Sequence, residues 1–320
     1  MKSALLPPRR GFSLPELLIA LSIGMVVIVA GTGYAVQTFK SRRGWMVRES
    51  IDRNARFVGI SLQRDAAEAG VALESSASFA SVNAAADTLS LLSVRWMKFP
   101  TPADSIEAPV YPIYDDGGAG PTYPLGVGNC GAECLEVVTT GLQVNMQVGD
   151  LLQLRVGTMR RLLLVTGVTG ATPGRLRITF LNVASLAQRP SGLSGIALQR
   201  SGTSVQQVRA VLYWRDVATR QLMRAERFSN TGRPQSAVIA TDLLAFTPRL
   251  HFTDGNEAAT YNGMDADSTN DGNDIIGLRV RAQLQADRID PAVNGGERLL
   301  RWYEWQVSPR NLVYEKNRTP

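Results

Sequence analysis

Hydrophobic and polar positions divide the chain into three stretches. Leu17 to Phe39 carries no charged residue and consists mostly of Leu, Ile, Val, Ala and Gly. As a helix at 1.5 Å per residue it spans roughly 35 Å, enough for a hydrocarbon core of about 30 Å. Further on, Val47, Ile51, Ala55, Val58 and Leu62 recur at helical spacing and form one apolar stripe. Arg48, Glu49, Asp52, Arg53, Arg56, Arg64, Asp65 and Glu68 are assigned to the opposite face, and Gly70 supplies a stop. One helix, from about Ser13 to Ala69, is therefore predicted to run from an entirely apolar half into an amphipathic half.

The remainder reads as β-rich. "DTLSLLSVRW", "CLEVVTTG", "DLLQLRV", "RLLLVTGVT", "RLRITFL", "VRAVLYWRD" and "IIGLRVRAQLQ" have the β-branched content and partial alternation of strands. Loops rich in Gly, Pro, Asn and Asp separate them. The longest, Pro100 to Asn129, contains "DDGGAGPTYPLGVG" and is expected to lack regular structure. No repeat of 20 to 50 residues is evident, which disfavours a solenoid or propeller. The pattern predicts an α+β fold, with one long helix packed on an antiparallel sheet, rather than two domains.

Length and composition suit this picture. With 320 residues, 44% hydrophobic and 19% charged, the chain has ample material for a core. The net charge of +6 invites an anionic partner, but Lys2, Arg9 and Arg10 supply three of those charges. Loss of the first eleven residues leaves about +3, so nucleic acid is not an expected partner. A cleavable secretory signal is the rival to a membrane-spanning helix. The apolar run is too long for a signal core, and "AGTGYA" (Ala30 to Ala35) is the nearest approach to a cleavage site.

Catalytic chemistry finds little support. The single histidine, His251, lies in a predicted strand with no cysteine or second histidine placed to complete a metal site. No nucleophile elbow, phosphate-binding loop or dinucleotide fingerprint is present, and no cofactor is called for. The chain reads as a non-enzyme. Cys130 and Cys134 in "NCGAEC" are the only cysteines, and a structural bridge is favoured over free thiols because redox motifs use two intervening residues. Closing so short a loop stabilises by roughly 2 kcal/mol at most. In "DGNEAATYNGMDADSTNDGND" (Asp254 to Asp274), Asp267 and Asp271 with Gly272 match the front half of a calcium loop. Leu278 stands where the closing glutamate belongs, so a solvated turn is favoured and calcium remains a weaker alternative.

One carboxylate is out of place. Glu16 heads the apolar run, where a charge costs on the order of 3 kcal/mol on insertion scales. A basic leader ending in Gly11, then "FSLPELLIAL" with its carboxylate five residues after that glycine, resembles the class III signal of type IV pilins and pseudopilins. Pro15 departs from the common aliphatic residue, at a helix position where proline forfeits no hydrogen bond. The second half of the helix, with Glu49, Asn54, Arg56, Phe57, Leu62, Asp65, Ala69 and Gly70, resembles PilW-type minor pilins. "VGDLLQLRV", the paired "RAVLYWRD" and "RQLMRAERF", and "RWYEWQVSPRNL" resemble strands of the same family. A Gly-Cys pair common after the "A-G" of that family is missing here.

The resemblance implies cleavage between Gly11 and Phe12 by a prepilin peptidase, N-methylation of Phe12, and pairing of Glu16 with the new amine of a neighbouring subunit. It implies a leader over 1–11, a helix over 12–70 (12–39 transmembrane, 40–70 amphipathic) and a periplasmic β-rich domain over 71–320. The implied function is a minor pilin priming type IV pilus assembly at or near the tip, anchored in the inner membrane. Its implied partners are other minor pilins, the major pilin and the inner-membrane assembly platform. A type II secretion pseudopilin and a DNA-uptake pilin are the alternatives. Under this resemblance Gly24, Gly31 and Gly33 fit equally well close helix packing in lipid or a segment that stretches when subunits assemble.

Overall fold

The computed structural model describes residues 13–73, 75–76, 79–97, 106–107, 110–114, 122–124, 134–140, 146–157, 159–182, 197–199, 202–262, 270–291, 293–309 and 311–312. Leu14–Glu68 forms one α-helix, α1, within a residue of each predicted end. Gly24, Gly31 and Gly33 do not interrupt it, and a Cβ built at any of them meets nothing within 4 Å. The large apolar side chains from Leu14 to Phe39 are exposed, and this half is long and apolar enough to cross a membrane. In the second half the predicted stripe is buried: Val47, Ile51, Ala55, Val58 and Leu62, continued by Ala66 and Ala69. Gly70 then takes φ +77, a left-handed conformation that costs glycine little.

The chain divides into two compact units. One combines Met1–Ser50 with Ala286–Leu299. In it, the segment after Gln285 closes on itself through Ala286 N–H to the Leu299 carbonyl at 2.9 Å and Arg298 Nη1 to the Ala286 carbonyl at 3.2 Å. Ser50 Oγ meets Asp287 Oδ1 at 3.1 Å.

The other unit, Ile51–Gln285 with Leu300–Pro320, holds the strands. In chain order they are β1 (Val82–Ala85), β2 (Thr88–Val94), β3 (Trp96–Met97), β4 (Ile106–Glu107), β5 (Val110–Pro112), β6 (Thr122–Pro124), β7 (Cys134–Val138), β8 (Leu151–Val156) and β9 (Met159–Thr172). There follow β10 (Arg175–Asn182), β11 (Ala197–Gln199), β12 (Thr203–Asp216), β13 (Gln221–Phe228), β14 (Pro234–Ala240), β15 (Leu243–Phe252), β16 (Glu257–Ala258), β17 (Ile275–Gln285) and β18 (Leu300–Val307).

Ten of these strands make one antiparallel sheet, ordered β1-β2-β12-β8-β9-β10-β7, with β5 and β13 also paired to β12 and β14 paired to β13. β12 organises it. Its first half pairs with β8 and β5, and its second half with β2 and β13. A four-stranded sheet runs β16-β15-β17-β18. The structure is thus the predicted α+β arrangement of a long N-terminal helix and an antiparallel, strand-rich region.

The run "RLLLVTG" lacks clean alternation for a visible reason. Leu163 and Val165 join a core with Leu152, Leu154, Ile178, Phe180 and Val205, while Leu162 and Leu164 join a second with Leu92, Val94, Val208 and Phe228. Both faces of β9 are covered there, so successive residues are apolar. One expectation needs correction. The stretch 100–129 is not wholly irregular, since β4, β5 and β6 fall inside it, and β5 pairs Val110–Pro112 with Ser204–Gln206. Short edge segments of Pro and Tyr carry too little periodicity to announce themselves.

Candidate functional site

Gly11 and Phe12 lie outside the described residues. Immediately after them, Ser13 caps α1: its carbonyl accepts from Leu17 N–H at 3.2 Å. The Glu16 carboxylate reaches back, its Oε2 accepting from Ser13 N–H at 3.0 Å and from Ser13 Oγ at 2.9 Å. This is the return arm of a capping box, and it satisfies a backbone donor that the helix leaves orphaned. Glu16 therefore has a partner inside its own chain, with one carboxylate oxygen engaged and Oε1 unengaged among the described residues.

At the other end of the helix, three contacts tie α1 to strands far away in sequence. Asp52 accepts from the Tyr303 hydroxyl and, at 3.1 Å, from Arg301 Nη1, both on β18. Burial, and then the hydrogen bond to Asp52, push the Tyr303 phenol up to about 12. About two turns further along, Gly59 lies against the Trp305 indole. A Cβ there would stand 2.9 Å from Cδ1 and collide with Nε1.

Asp65 forms the third and largest contact. Its side chain is fully buried, which corrects its assignment to the polar face. Oδ2 accepts from Arg224 Nε at 2.7 Å and from the Tyr213 hydroxyl, while Oδ1 faces Arg64 Nε at 3.2 Å and Arg209 Nη2 at 3.7 Å. Arg209 continues to Glu68 and, at 2.9 Å, to Glu226, which Arg224 also holds. Burial alone would raise the Asp65 carboxyl. The bonds from Arg224 and Tyr213 and the charges of Arg224 and Arg64 outweigh it and hold the carboxyl below its ordinary value. The Tyr213 phenol is pushed up by burial and by the Asp65 charge. The signal for Asp65 was available: it stands three residues after Leu62 and seven after Val58, on the stripe itself.

Sequence reasoning also missed the closure of the helix end. Asn311 Nδ2 donates to the Ala67 carbonyl at 3.2 Å and the Ala69 carbonyl at 3.4 Å, capping carbonyls that have no partner within the helix. Gly70 N–H donates to the Leu92 carbonyl at 2.8 Å, and a Cβ at Gly70 would lie 3.0 Å from Leu312 Cδ2. The asparagine and leucine of "RNL" thus seat the last turn of α1.

The remaining candidates are dispersed. Cys134 is buried at the start of β7 and disulfide-bonded, while Cys130 lies outside the described residues. Asp267 is also outside them. Asp271 is buried and its Oδ1 accepts from Asn273 N–H at 2.7 Å, a turn-forming bond. His251 sits on β15 with Nδ1 3.8 Å from Glu257 Oε1. A polar cavity of about 440 Å³ opens between β8 and β13, where β12 passes from one to the other. Its charges are largely matched within it: Arg95 with Asp150 at 2.6 Å, Arg209 with Glu226.

Residues 6–32 match the prokaryotic N-terminal methylation motif. No curated protein and no solved structure matches the chain. The matched stretch contains Gly11, Phe12 and Glu16 and reaches well into the apolar half of α1. It supports a type IV pilin-like protein, processed by a prepilin peptidase and structural rather than enzymatic in character. The exposed apolar half of α1 fits a pilin anchored in the inner membrane.

Proposed function

We propose that this chain is a minor pilin of the type IV pilus machinery, of the PilW type, cleaved between Gly11 and Phe12 and methylated at Phe12. The observation that carries the reading is the methylation motif over residues 6–32, running into an exposed apolar helix headed by Glu16. The β-rich region stands in the periplasm, and the chain primes assembly at or near the pilus tip with other minor pilins. In a filament the amine created at Phe12 of one subunit meets Glu16 of the next in a dry environment, where a matched ion pair is strong and an unmatched charge is costly. The carboxylate then acts as a register device. Ser13 occupies one of its oxygens, which fixes the side chain at the helix start while Oε1 stays free to take the amine.

The test uses a deletion strain complemented with variants of the full chain. Glu16→Ala is expected to insert and be cleaved, yet to fall several-fold in sheared pili; Gly11→Glu is expected to stay as an uncut membrane precursor. Glu16→Ala protein in sheared pili at the wild-type level would reduce the carboxylate to a helix cap. A deletion that leaves piliation intact but blocks protein secretion would assign the chain to the type II secretion apparatus instead.

A further inference from the structure

We propose that the free edge of β14 is a docking edge for the same strand of a second copy of this chain, paired antiparallel about Ala237. This goes beyond the pilin reading and does not depend on it. β14 bonds only to β13, so its other edge presents a row of backbone donors and acceptors with no partner among the described residues. Water satisfies such a row in the free chain, and another strand can replace that water in register. Residues 234–238 are exposed on both faces, Val238 at 46%, and nothing among the described residues covers them.

The other edges of the two larger sheets are protected in the ways natural sheets protect them. β1 has four residues and β16 two. β7 is partly closed by the Ile113–Val137 bridge, and β18 carries Arg301 and Glu304. β14 has no charge from Pro234 to Ala240, and Pro234 blunts its first residue alone. Bulges set Glu226 and Ile239 out of register on either side, which leaves Ser236–Val238 as the regular run.

That run is self-complementary. Pairing two copies about Ala237 sets Ala237 against itself and Ser236 against Val238, with Gln235 and Ile239 next outward. No like charges meet, and the central side chains are small enough for close approach.

The experiment reads disulfide cross-linking of the full chain in membranes on non-reducing gels. Directly opposed residues in an antiparallel pair have Cα atoms about 4.5–5.5 Å apart, within the disulfide range. Ala237→Cys is expected to give a homodimer, whereas Val217→Cys, also exposed but in the β12–β13 turn, gives at most a tenth as much. Adding Ser236→Lys and Val238→Lys opposes lysines across the pair and is expected to lower the dimer about tenfold. Ser236→Glu with Val238→Lys opposes unlike charges and restores it. All these positions are exposed, so the fold is not at stake. Ala237→Cys protein that stays monomeric, that cross-links no better than Val217→Cys, or that is captured by a protein of another size overturns the proposal, as does failure of the Glu–Lys pattern to rescue.

Discussion

Arg224 on β13 holds the buried carboxylate of Asp65 on α1 at 2.7 Å, and the two residues are 159 positions apart in the chain. Tyr213 donates to the same oxygen. A helix and a hairpin therefore share one desolvated charge, and either partner alone would be costly to bury.

Removing that charge exposes the cost. Asp65→Ala leaves Arg224 and Tyr213 without their acceptor and is expected to destabilise by about 3–5 kcal/mol, the range for breaking a buried pair. Asp65→Asn keeps an acceptor for the hydroxyl and should lose less. Denaturation of the detergent-solubilised full chain, wild type against each variant, measures both.

The same carboxylate sets a pH dependence. Its pKa is depressed below the ordinary 3.8, so its contribution is complete above that value and is lost as pH falls through the lower folded-state value. The stability difference between wild type and Asp65→Asn is expected to stay constant from neutral pH down to about 5 and to shrink below about 4. Melting temperatures of both proteins across that range test the sign; a gap that widens on acidification would contradict it.

Gly59 is set by what faces it. Any side chain there meets the Trp305 indole, so Gly59→Ala must move the ring and is expected to cost about 1–3 kcal/mol despite alanine's better helix propensity. Trp305→Leu, which shortens the obstacle, should recover part of the loss in the double variant. A change in indole emission accompanying Gly59→Ala, absent in Gly24→Ala, would locate the effect.

Asn311 is expected to contribute about 1 kcal/mol through its bonds to the helix end, lost in Asn311→Ala. Asn311→Asp should be worse than alanine, because it sets a negative charge against carbonyls at the negative end of the helix dipole. Chemical denaturation ranks the two variants. An aspartate as stable as the wild type would remove Asn311 from the cap.

What was legible in the sequence were features written in local periodicity. Val47 to Leu62 announced a buried stripe by spacing alone, "IIGLRVRAQLQ" coincides with β17, and Gly70 stands where the helix stops. Features that depend on distant partners were not legible. The place of Asp65 on the stripe could be read, but its partners could not, because Arg224 and Tyr213 are brought to it only by the pairing of β12 with β13. Gly59 looks like an incidental weak point in a helix until Trp305 is seen across from it. β14, with exposed residues on both faces, has no apolar alternation to find. At the N-terminus the reverse holds: the motif around Gly11 and Glu16 is read from sequence, while the structure adds the Ser13 cap.

Part of the seat of the amphipathic half of α1 comes from β18 and Asn311, far along the chain. Tyr303 is 251 residues from Asp52, and Asn311 is 244 from Ala67. During synthesis the helix emerges well before these residues. Until then Ile51, Val58 and Leu62 have a face without its final cover, and loop closure over such a separation is slow. A chain ended by a premature stop before β18 is therefore not a shorter version of this protein. It lacks the strand and the asparagine that bond to this helix. Truncation before β18 thus uncovers one face of the helix rather than removing a separable tail.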